Sequence, residues 1–256
     1  LPVIIIARLL GVPESMADDL LGWSNDMVMM YQARRSKTLE ARAVTAGQSF
    51  SDFMRSFIEE RRTRPADDLI THLIAAEEDG QRLTTDEMIT TCILLLNAGH
   101  EATVHTLGNG VKTLLETAVP VSCLAPEHID GTVEEILRFD PPLHMFTRYA
   151  NADLTVQGHA LKRGDQIALI LGAAGRDPAN WSDPDVFNPT RKVQTNAAFG
   201  AGIHFCLGAA LARLELRKAL PIIFERCPQM QLARSPCYAD VYHFHGLQNL
   251  FVKTGL

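Results

Sequence analysis

The segment of this chain with the clearest chemical potential is a glycine-rich loop that carries a cysteine. Phe199, Gly202, Cys206 and Gly208 stand in an F-x-x-G-x-x-x-C-x-G frame, directly before a stretch of helical character. A cysteine at a helix N-terminus is favoured as the thiolate, because unpaired N–H groups and the helix dipole stabilise negative charge. The thiolate is the form of cysteine that ligates metals. The loop therefore predicts an anionic sulfur ligand at Cys206.

The residues around this cysteine suit a loop pressed against a flat ligand. Gly200 and Gly202 permit positive backbone angles and a tight turn, and Gly208 leaves the start of the helix without a side chain. Phe199 can cover the sulfur and keep water away from it. The alternative interpretation is a free, buried cysteine that opens a helix, which is the more frequent case for an isolated Cys. The complete frame favours the ligand.

This frame closely resembles the haem-binding loop of the cytochrome P450 family, the haem-thiolate monooxygenases. The resemblance implies that Cys206 ligates the iron of haem b (iron protoporphyrin IX) and that His204 partners a haem propionate. It implies the same partnership for Arg148, whose planar guanidinium suits a carboxylate, although a surface arginine on a strand is the alternative. The cofactor-binding residues implied by the resemblance are Phe199, Gly200, Gly202, His204, Cys206, Gly208, Arg148, Ala98 and Gly99.

A second segment of the same family pattern lies at Ala98-Gly99-His100-Glu101-Ala102-Thr103. A glycine inside a helix costs about 1 kcal/mol relative to alanine, so a specific reason for Gly99 is expected. The resemblance implies that this helix passes above the iron and that Glu101 is the acid of a proton relay. Ala102 stands where the family carries an alcohol, so Thr103, an ordered water or a substrate hydroxyl would have to replace it. The alternative is a solvated patch on the helix.

An E-x-x-R pair, Glu135 and Arg138, places opposite charges on one face of a helix. Solvated pairs at this spacing are common, so the pair alone is a weak signal. Its position upstream of the cysteine loop matches the resembled family, in which it anchors the segment before that loop. The family's third partner is an arginine in a P-x-R-F segment, where this chain has Val186. Arg191 is near enough in sequence to substitute.

The resemblance also implies a set of residues around an apolar substrate. Most of them are apolar or aromatic, and such residues are more often plain core. The implied pocket residues are Leu94, Asn97, Ala98, Ala102, Leu143, His144, Phe146, His243 and Phe244.

Composition excludes several classes of function. The chain has 256 residues and a net charge of −6, and no basic run is present, which argues against a nucleic-acid surface. Its five cysteines are odd in number and scattered without metal-like spacing, as in proteins of a reducing cytoplasm. The apolar opening segment is too short to span a bilayer and is interrupted by Arg8. We therefore expect a cytoplasmic protein without membrane or nucleic-acid partners.

Apolar periodicity predicts helices through the first 140 residues, and short strands and irregular chain afterwards. Thr84 to Glu87 supply a cap for a long helix, and Pro221 is expected to bend the last one. The predicted helices are Pro2–Leu10, Glu14–Arg35, Leu39–Arg62, Asp67–Glu78, 84–116, Ala125–Phe139 and Ala209–Arg226. The predicted strands are Phe146–Arg148, Asp153–Val156, Gln166–Leu169, Gln229–Leu232 and Leu250–Lys253.

These elements predict a mainly α fold with small β-sheets, and the resemblance implies a cytochrome P450-like fold. The first residue, Leu1, enters an apolar helix at once, and the opening stretch resembles a mid-sequence helix of bacterial members. We therefore expect residues 1–256 to form a single, incomplete haem-thiolate monooxygenase domain that lacks its N-terminal portion. Residues 1–140 are its helical part, and residues 141–256 hold the strands and the haem-binding loop.

The resemblance implies a bacterial monooxygenase that inserts one atom of dioxygen into an apolar small molecule, with electrons from a ferredoxin-type partner. Ala102 motivates an alternative, peroxide-driven oxygenation without a redox partner. A third possibility, from a different class, is a truncated, haem-poor remnant or non-catalytic binding protein. We expect poor haem occupancy for the 256-residue chain, because one wall of the haem cleft would be absent and apolar surface exposed.

Overall fold

The computed structural model describes residues 1–32, 35–76, 80–241 and 244–255. The chain divides into two compact units, residues 1–104 and residues 105–256, with the division inside one long helix. None of the helices in these described ranges is long and apolar enough to cross a membrane.

The first unit is helical. Its helices are α1 (Pro2–Leu10), α2 (Ala17–Val28), α3 (Lys37–Thr63), α4 (Leu69–Ala75) and the first part of α5 (Thr85–Thr117). One face of each of these helices is apolar, and the faces meet in a single core that is closed to solvent. The most deeply buried side chains of this core include Leu10, Leu20, Phe50, Met54, Ile58 and Leu96.

Local side-chain caps set where these helices begin. Ser36 accepts a hydrogen bond from the Leu39 N–H at 3.1 Å at the start of α3. At the start of α5, the Thr84 hydroxyl accepts from the Glu87 N–H at 3.2 Å, while the Glu87 carboxylate accepts from the Thr84 N–H at 2.8 Å. This reciprocal pair satisfies two N–H groups that the helix leaves without partners. The predicted cap of the long helix is therefore present.

The second unit combines three helices with short strands. After the end of α5 come α6 (Ile129–Phe139), the single turn α7 (Leu171–Ala174) and α8 (Ala209–Arg226), which contains Pro221. α6 and α8 pack against each other and against the end of α5 around one apolar core. The most deeply buried side chains of this core include Val133, Ile136, Leu137, Leu216 and Leu220.

Among the described residues of this unit, eight short strands form four antiparallel pairs. β1 (Met145–Tyr149) pairs with β4 (Gln166–Ile170), with Phe146 opposite Leu169. β2 (Leu154–Val156) and β3 (His159–Leu161) form a hairpin. β5 (Gln231–Leu232) pairs with β8 (Val252–Lys253), and β6 (Cys237–Tyr238) with β7 (Leu247–Asn249).

The prediction of a mainly α fold with small sheets is confirmed, although several boundaries differ from those expected. The helix expected from Glu14 is divided into a 3-10 turn at Glu14–Met16, α2, and a second 3-10 turn at Met29–Tyr31. α6 starts four residues later than expected, because Ala125 is extended and follows a 3-10 turn at Val121–Leu124. The expected end of the fourth helix, Glu78, lies outside the described residues.

The sequence patterns also missed four short elements, namely α7, β3, β6 and β7. Elements of two to four residues are too short to show an apolar period. They are fixed by pairing across the sheet or by packing, and neither is visible locally in the sequence.

Candidate functional site

The cysteine loop leads directly into α8. Gly200 and Gly202 adopt φ angles of 68° and 70°, in the left-handed region that glycine enters without steric cost. The Cys206 N–H donates to the carbonyl of Phe199 at 3.0 Å, which closes the loop, and Cys206 lies three residues before Ala209, the first residue of α8. The backbone thus holds the half-buried sulfur at a helix N-terminus, where negative charge is stabilised.

Apolar side chains on both sides of this cysteine point into solvent. Ile203 is 96% exposed, Leu207 is 89% exposed, and Phe205 is half exposed. A Cβ atom added at Gly208 would lie 4.0 Å from the Cys206 sulfur. Because glycine has no Cβ, the space beside the sulfur stays open. Such a surface is costly in water and indicates a face that covers an apolar ligand.

The side chain of Phe199 is fixed from behind by charged residues. The Arg213 guanidinium lies 4.5 Å from the centre of the Phe199 ring and is ion-paired with Glu134. The amide of Asn196 donates to the same carboxylate at 3.1 Å. These contacts hold the aromatic ring at the entrance of the cysteine loop.

Glu135 and Arg138 form a buried pair on α6. Two parallel hydrogen bonds of 2.8 Å join the Arg138 guanidinium to the two oxygens of Glu135, and both side chains are almost fully buried. The Nε of Arg191 lies 3.2 Å from the same carboxylate, and the Asn188 N–H donates to it at 2.8 Å. The structure thus brings Glu135, Arg138 and Arg191 together around one carboxylate.

The remaining donors of Arg138 hold the irregular segment that leads toward the cysteine loop. Its Nη1 donates to the carbonyls of Gly175 at 2.6 Å and Pro184 at 2.8 Å, and its Nη2 to that of Val186 at 3.2 Å. Arg191 also donates to the Val186 carbonyl, at 3.1 Å. The valine that replaces the family's arginine therefore contributes its backbone instead of its side chain.

The α5 residues of the expected site belong to the first unit, whereas Cys206 belongs to the second. A Cβ atom added at Gly99 would lie only 2.8 Å from the terminal methyl of Ile6. Close packing against α1 therefore explains why this position of α5 is a glycine. His100 is buried and donates from Nδ1 to the Leu96 carbonyl at 2.9 Å, while its Nε2 finds no partner among the described residues. Burial lowers the pKa of His100, so it is neutral.

Glu101 is half-buried on the same helix, and Thr103 is buried. Burial raises the pKa of the Glu101 carboxyl to about 7, because the charged form loses solvation. A carboxyl with this pKa can both hold and release a proton near neutral pH, which is the property that general acid–base chemistry requires.

The expected pocket residues fall into different surroundings. Leu94, Ala98 and Ala102 follow a spacing of four residues and therefore share one side of α5, where Leu94 is 59% exposed. Asn97 instead accepts a hydrogen bond from the Ser24 hydroxyl of α2 at 2.8 Å, which gives it a packing role. The half-buried residues Leu143, His144, Phe146 and Phe244 belong to the second unit, and His243 lies outside the described residues.

The two residues expected to pair with propionates are both exposed. His204 ends the 3-10 turn Gly202–His204 of the cysteine loop. Arg148 lies on β1, and its guanidinium donates to the carbonyl of the adjacent Thr147 at 2.9 Å. Both side chains are therefore open to an external carboxylate.

Sequence reasoning missed a group of polar side chains in the second unit. Asp140, Lys112, Tyr238 and His245 are in mutual contact, and none was singled out as a site residue. These residues are separated by up to 133 positions in the chain, so no local motif could have indicated the group.

Comparison with known proteins decides the family. The cytochrome P450 family model matches residues 20–117 and 127–232. The chain belongs to the cytochrome P450 family. The prediction made from the cysteine loop and its accompanying motifs is therefore confirmed.

Two relatives of this P450 chain are proteins of the bacteria Bacillus subtilis and Saccharopolyspora erythraea. It is 39% identical to the polyketide biosynthesis cytochrome P450 PksS of Bacillus subtilis, over 92% of the chain and 58% of the relative. It is 40% identical to cytochrome P450 107B1 of Saccharopolyspora erythraea, over the whole chain and 63% of the relative. The chain thus spans about three-fifths of the length of these relatives.

Solved P450 structures show the same fold. CYP109E1 of Bacillus megaterium, in a complex with testosterone, matches the whole chain and 70% of its own length, with a TM-score of 0.91 and 33% identity. P450BioI, in a complex with an acyl carrier protein carrying hexadec-9Z-enoic acid, matches 98% of the chain and 65% of its own length, with a TM-score of 0.92 and 34% identity.

The residues of the P450 cysteine loop fit a haem group. Cys206 offers a half-buried sulfur at a helix N-terminus, and Ile203, Phe205 and Leu207 offer exposed apolar surface around it. The open space above Gly208 leaves room for a flat ring. A cysteine sulfur with exposed apolar side chains around it and open space beside it suits a haem that is ligated by a cysteine thiolate.

The raised pKa of Glu101 predicts a specific dependence of stability on pH. Between pH 4.5 and about 7 the unfolded carboxyl loses its proton while the folded one keeps it, so ionisation favours unfolding as the pH rises. We expect Glu101→Gln to remove this loss. Its free energy of unfolding should match that of the wild type at pH 5 and exceed it by ~1–2 kcal/mol at pH 8, allowing for the solvent that reaches this half-buried group.

Denaturant unfolding of both proteins from pH 5 to pH 8 measures this difference. The exposed Glu40 provides the control, because Glu40→Gln should leave the pH dependence as it is in the wild type. A wild-type and Glu101→Gln pair with parallel pH profiles would show that the folded carboxyl titrates normally.

Proposed function

We propose that this chain is part of a bacterial, cytoplasmic haem-thiolate monooxygenase that oxygenates an apolar small molecule with electrons from a ferredoxin-type partner. The observation that carries the proposal is the half-buried Cys206 at the start of α8, surrounded by exposed apolar side chains. We further propose that both compact units belong to a single haem-thiolate monooxygenase domain. Relatives named as monooxygenases, such as PikC of Streptomyces venezuelae at 36% identity, support this activity.

The residues that would hold the haem b group are those of the loop and its neighbours. Cys206 supplies the thiolate, Phe199 and Gly208 shape its surroundings, and His204 and Arg148 provide the exposed donors for the two propionates. When bound, a thiolate-ligated haem would supply dioxygen binding and O–O bond cleavage. The Glu135, Arg138 and Arg191 group has a positioning role, because it fixes the backbone of residues 175–186 ahead of the loop.

Proton supply is assigned to α5. Glu101 holds a proton near neutral pH because burial raises its pKa to about 7. The side of α5 that carries Leu94, Ala98 and Ala102 is proposed to contact the apolar substrate. Of the second unit, Leu143, His144, Phe146 and Phe244 are proposed as substrate contacts. Because Ala102 has no hydroxyl, Thr103, a water molecule or a substrate hydroxyl completes the proton path.

Electron delivery requires a partner that docks on basic residues. Arg213, Arg217 and the exposed Lys218 of α8 are the candidates. Arg213 is ion-paired with Glu134, and Arg217 with Asp130. The Arg217–Asp130 pair is solvent-exposed, with 3.2 Å between Nη1 and Oδ1, and such pairs exchange partners at little cost. An acidic ferredoxin is therefore the class of donor that this helix would accept.

Turnover by the haem-loaded protein tests the proposal. With a panel of apolar substrates, we expect oxygenated product when NADPH, a ferredoxin reductase and a ferredoxin are supplied, and little with hydrogen peroxide alone. Product with peroxide alone would instead favour the peroxygenase that Ala102 suggests. No turnover in either system by protein that holds one haem per chain would contradict both enzymes and favour the non-catalytic remnant.

A further inference from the structure

A cluster of metal-ligating side chains lies in the second unit. Asp140 follows the end of α6, His144 precedes β1, and His245 precedes β7. Each residue offers one ligand atom, and these three atoms lie within 4.8 Å of one another. Asp140 is buried and the two histidines are half-buried, so the cluster is shielded from bulk water.

The spacing of the cluster is close to that of a metal site. The Nε2 of His245 lies 3.0 Å from Oδ1 of Asp140. Two ligands on the edge of a tetrahedral Zn²⁺ site, each about 2.0–2.1 Å from the ion, are separated by roughly 3.3 Å. His144 stacks on His245, with 3.7 Å between the ring centres, and one of its nitrogens lies within 4.8 Å of the other two ligand atoms.

Outer contacts hold the carboxylate in a fixed orientation. The Tyr238 hydroxyl donates to Oδ2 of Asp140, and the Lys112 ammonium lies 3.2 Å from the same oxygen. Oδ1 is thereby left to face His245. Hydrogen bonds from outer residues to a ligating carboxylate are a regular feature of metal sites, because they orient the ligand.

A further contact ties together the two segments that carry these ligands. The side-chain amide of Asn109 donates to the backbone carbonyl of His245 at 2.9 Å and to that of Asp140 at 3.3 Å. The backbone positions of the carboxylate and of one imidazole are therefore fixed before any ion binds, which reduces the ordering cost of binding.

We propose that Asp140, His144 and His245 form a binding site for Zn²⁺, with water as the fourth ligand. Two imidazoles and one carboxylate are a donor set that this ion accepts. The cluster shares no residue with the cysteine loop, although His144 is also one of the proposed substrate contacts. The zinc proposal itself does not depend on the proposed oxygenation. A bound ion would join the end of α6 to the chain before β1 and β7.

Calorimetric titration of the protein with zinc chloride tests the proposal. We expect one tight site per chain, and we expect His144→Ala to weaken Zn²⁺ affinity by at least about tenfold. His159, an exposed histidine on the β2–β3 hairpin, is the matched control, and His159→Ala should bind as the wild type does. Equal affinities of the wild type and His144→Ala would overturn the proposal.

Two further measurements distinguish Zn²⁺ binding at this cluster from binding elsewhere in the chain. Lys112→Met removes a positive charge beside the carboxylate and should tighten Zn²⁺ binding, because the ion no longer competes with an ammonium. Zinc-edge X-ray absorption of the loaded protein should show only nitrogen and oxygen ligands. Sulfur in the coordination shell would assign the ion to a cysteine, such as the exposed Cys237, and would contradict the site.

Discussion

Arg138→Ala is expected to lower the free energy of unfolding by about 3–5 kcal/mol, because it leaves the Glu135 carboxylate buried without its bidentate partner. The substitution also removes the donors of the Gly175 and Pro184 carbonyls. An alanine cannot replace any of these contacts, so the segment that precedes the cysteine loop loses its anchor. Denaturant unfolding monitored by circular dichroism measures the loss.

Two arginines provide the controls for this experiment. Arg163→Ala, at an exposed position of the same unit, should change the free energy of unfolding by no more than about 0.5 kcal/mol. Arg191→Ala should cost less than Arg138→Ala, because Arg138 still holds Glu135 through two hydrogen bonds. An Arg138→Ala protein as stable as Arg163→Ala would refute the anchoring role.

Cys206→Ala is expected to abolish the thiolate signature of the haem-loaded protein while leaving the fold intact. Backbone hydrogen bonds form the turns of this loop, and the Cys206 side chain is only half-buried. Replacing it by alanine therefore removes the sulfur ligand but few packing contacts. The free energy of unfolding of the haem-free chain should stay within about 0.5 kcal/mol of the wild type. Absorption spectroscopy and denaturant unfolding measure the two effects.

A second cysteine gives the matched control. Cys227 is also free and half-buried in the same unit, at the end of α8, and Cys227→Ala should keep the thiolate signature. If instead Cys206→Ala kept the signature and Cys227→Ala lost it, the axial ligand would be Cys227 and the assignment of the loop would be wrong.

Local patterns predicted the parts of the structure that local physics decides. The frame around Cys206 indicated the family by resemblance, and the tight turns of the loop were predictable because Gly200 and Gly202 accept positive φ angles. The cap at Thr84 was equally visible, because a hydroxyl residue followed three positions later by Glu87 satisfies two N–H groups.

Contacts between distant segments could not be predicted from sequence. Asn97 was expected in a pocket, but its side chain accepts a hydrogen bond from the hydroxyl of Ser24, which is 73 residues away in the chain. The replacement of an arginine by Val186 left the third partner of Glu135 open, and only the structure shows Arg191 at that carboxylate. The cluster of Asp140 and His245 follows from the pairing of β6 with β7, and neither strand has a sequence signal.

The proposed function depends on Cys206 as the thiolate ligand of a haem. A carbon monoxide difference spectrum of the reduced protein, prepared with one haem per chain, tests this ligation. We expect the red-shifted Soret band that is typical of a thiolate-ligated haem, and we expect Cys206→Ala to lose it. A difference spectrum of the histidine-ligated type in the wild-type protein would show that Cys206 is not the ligand.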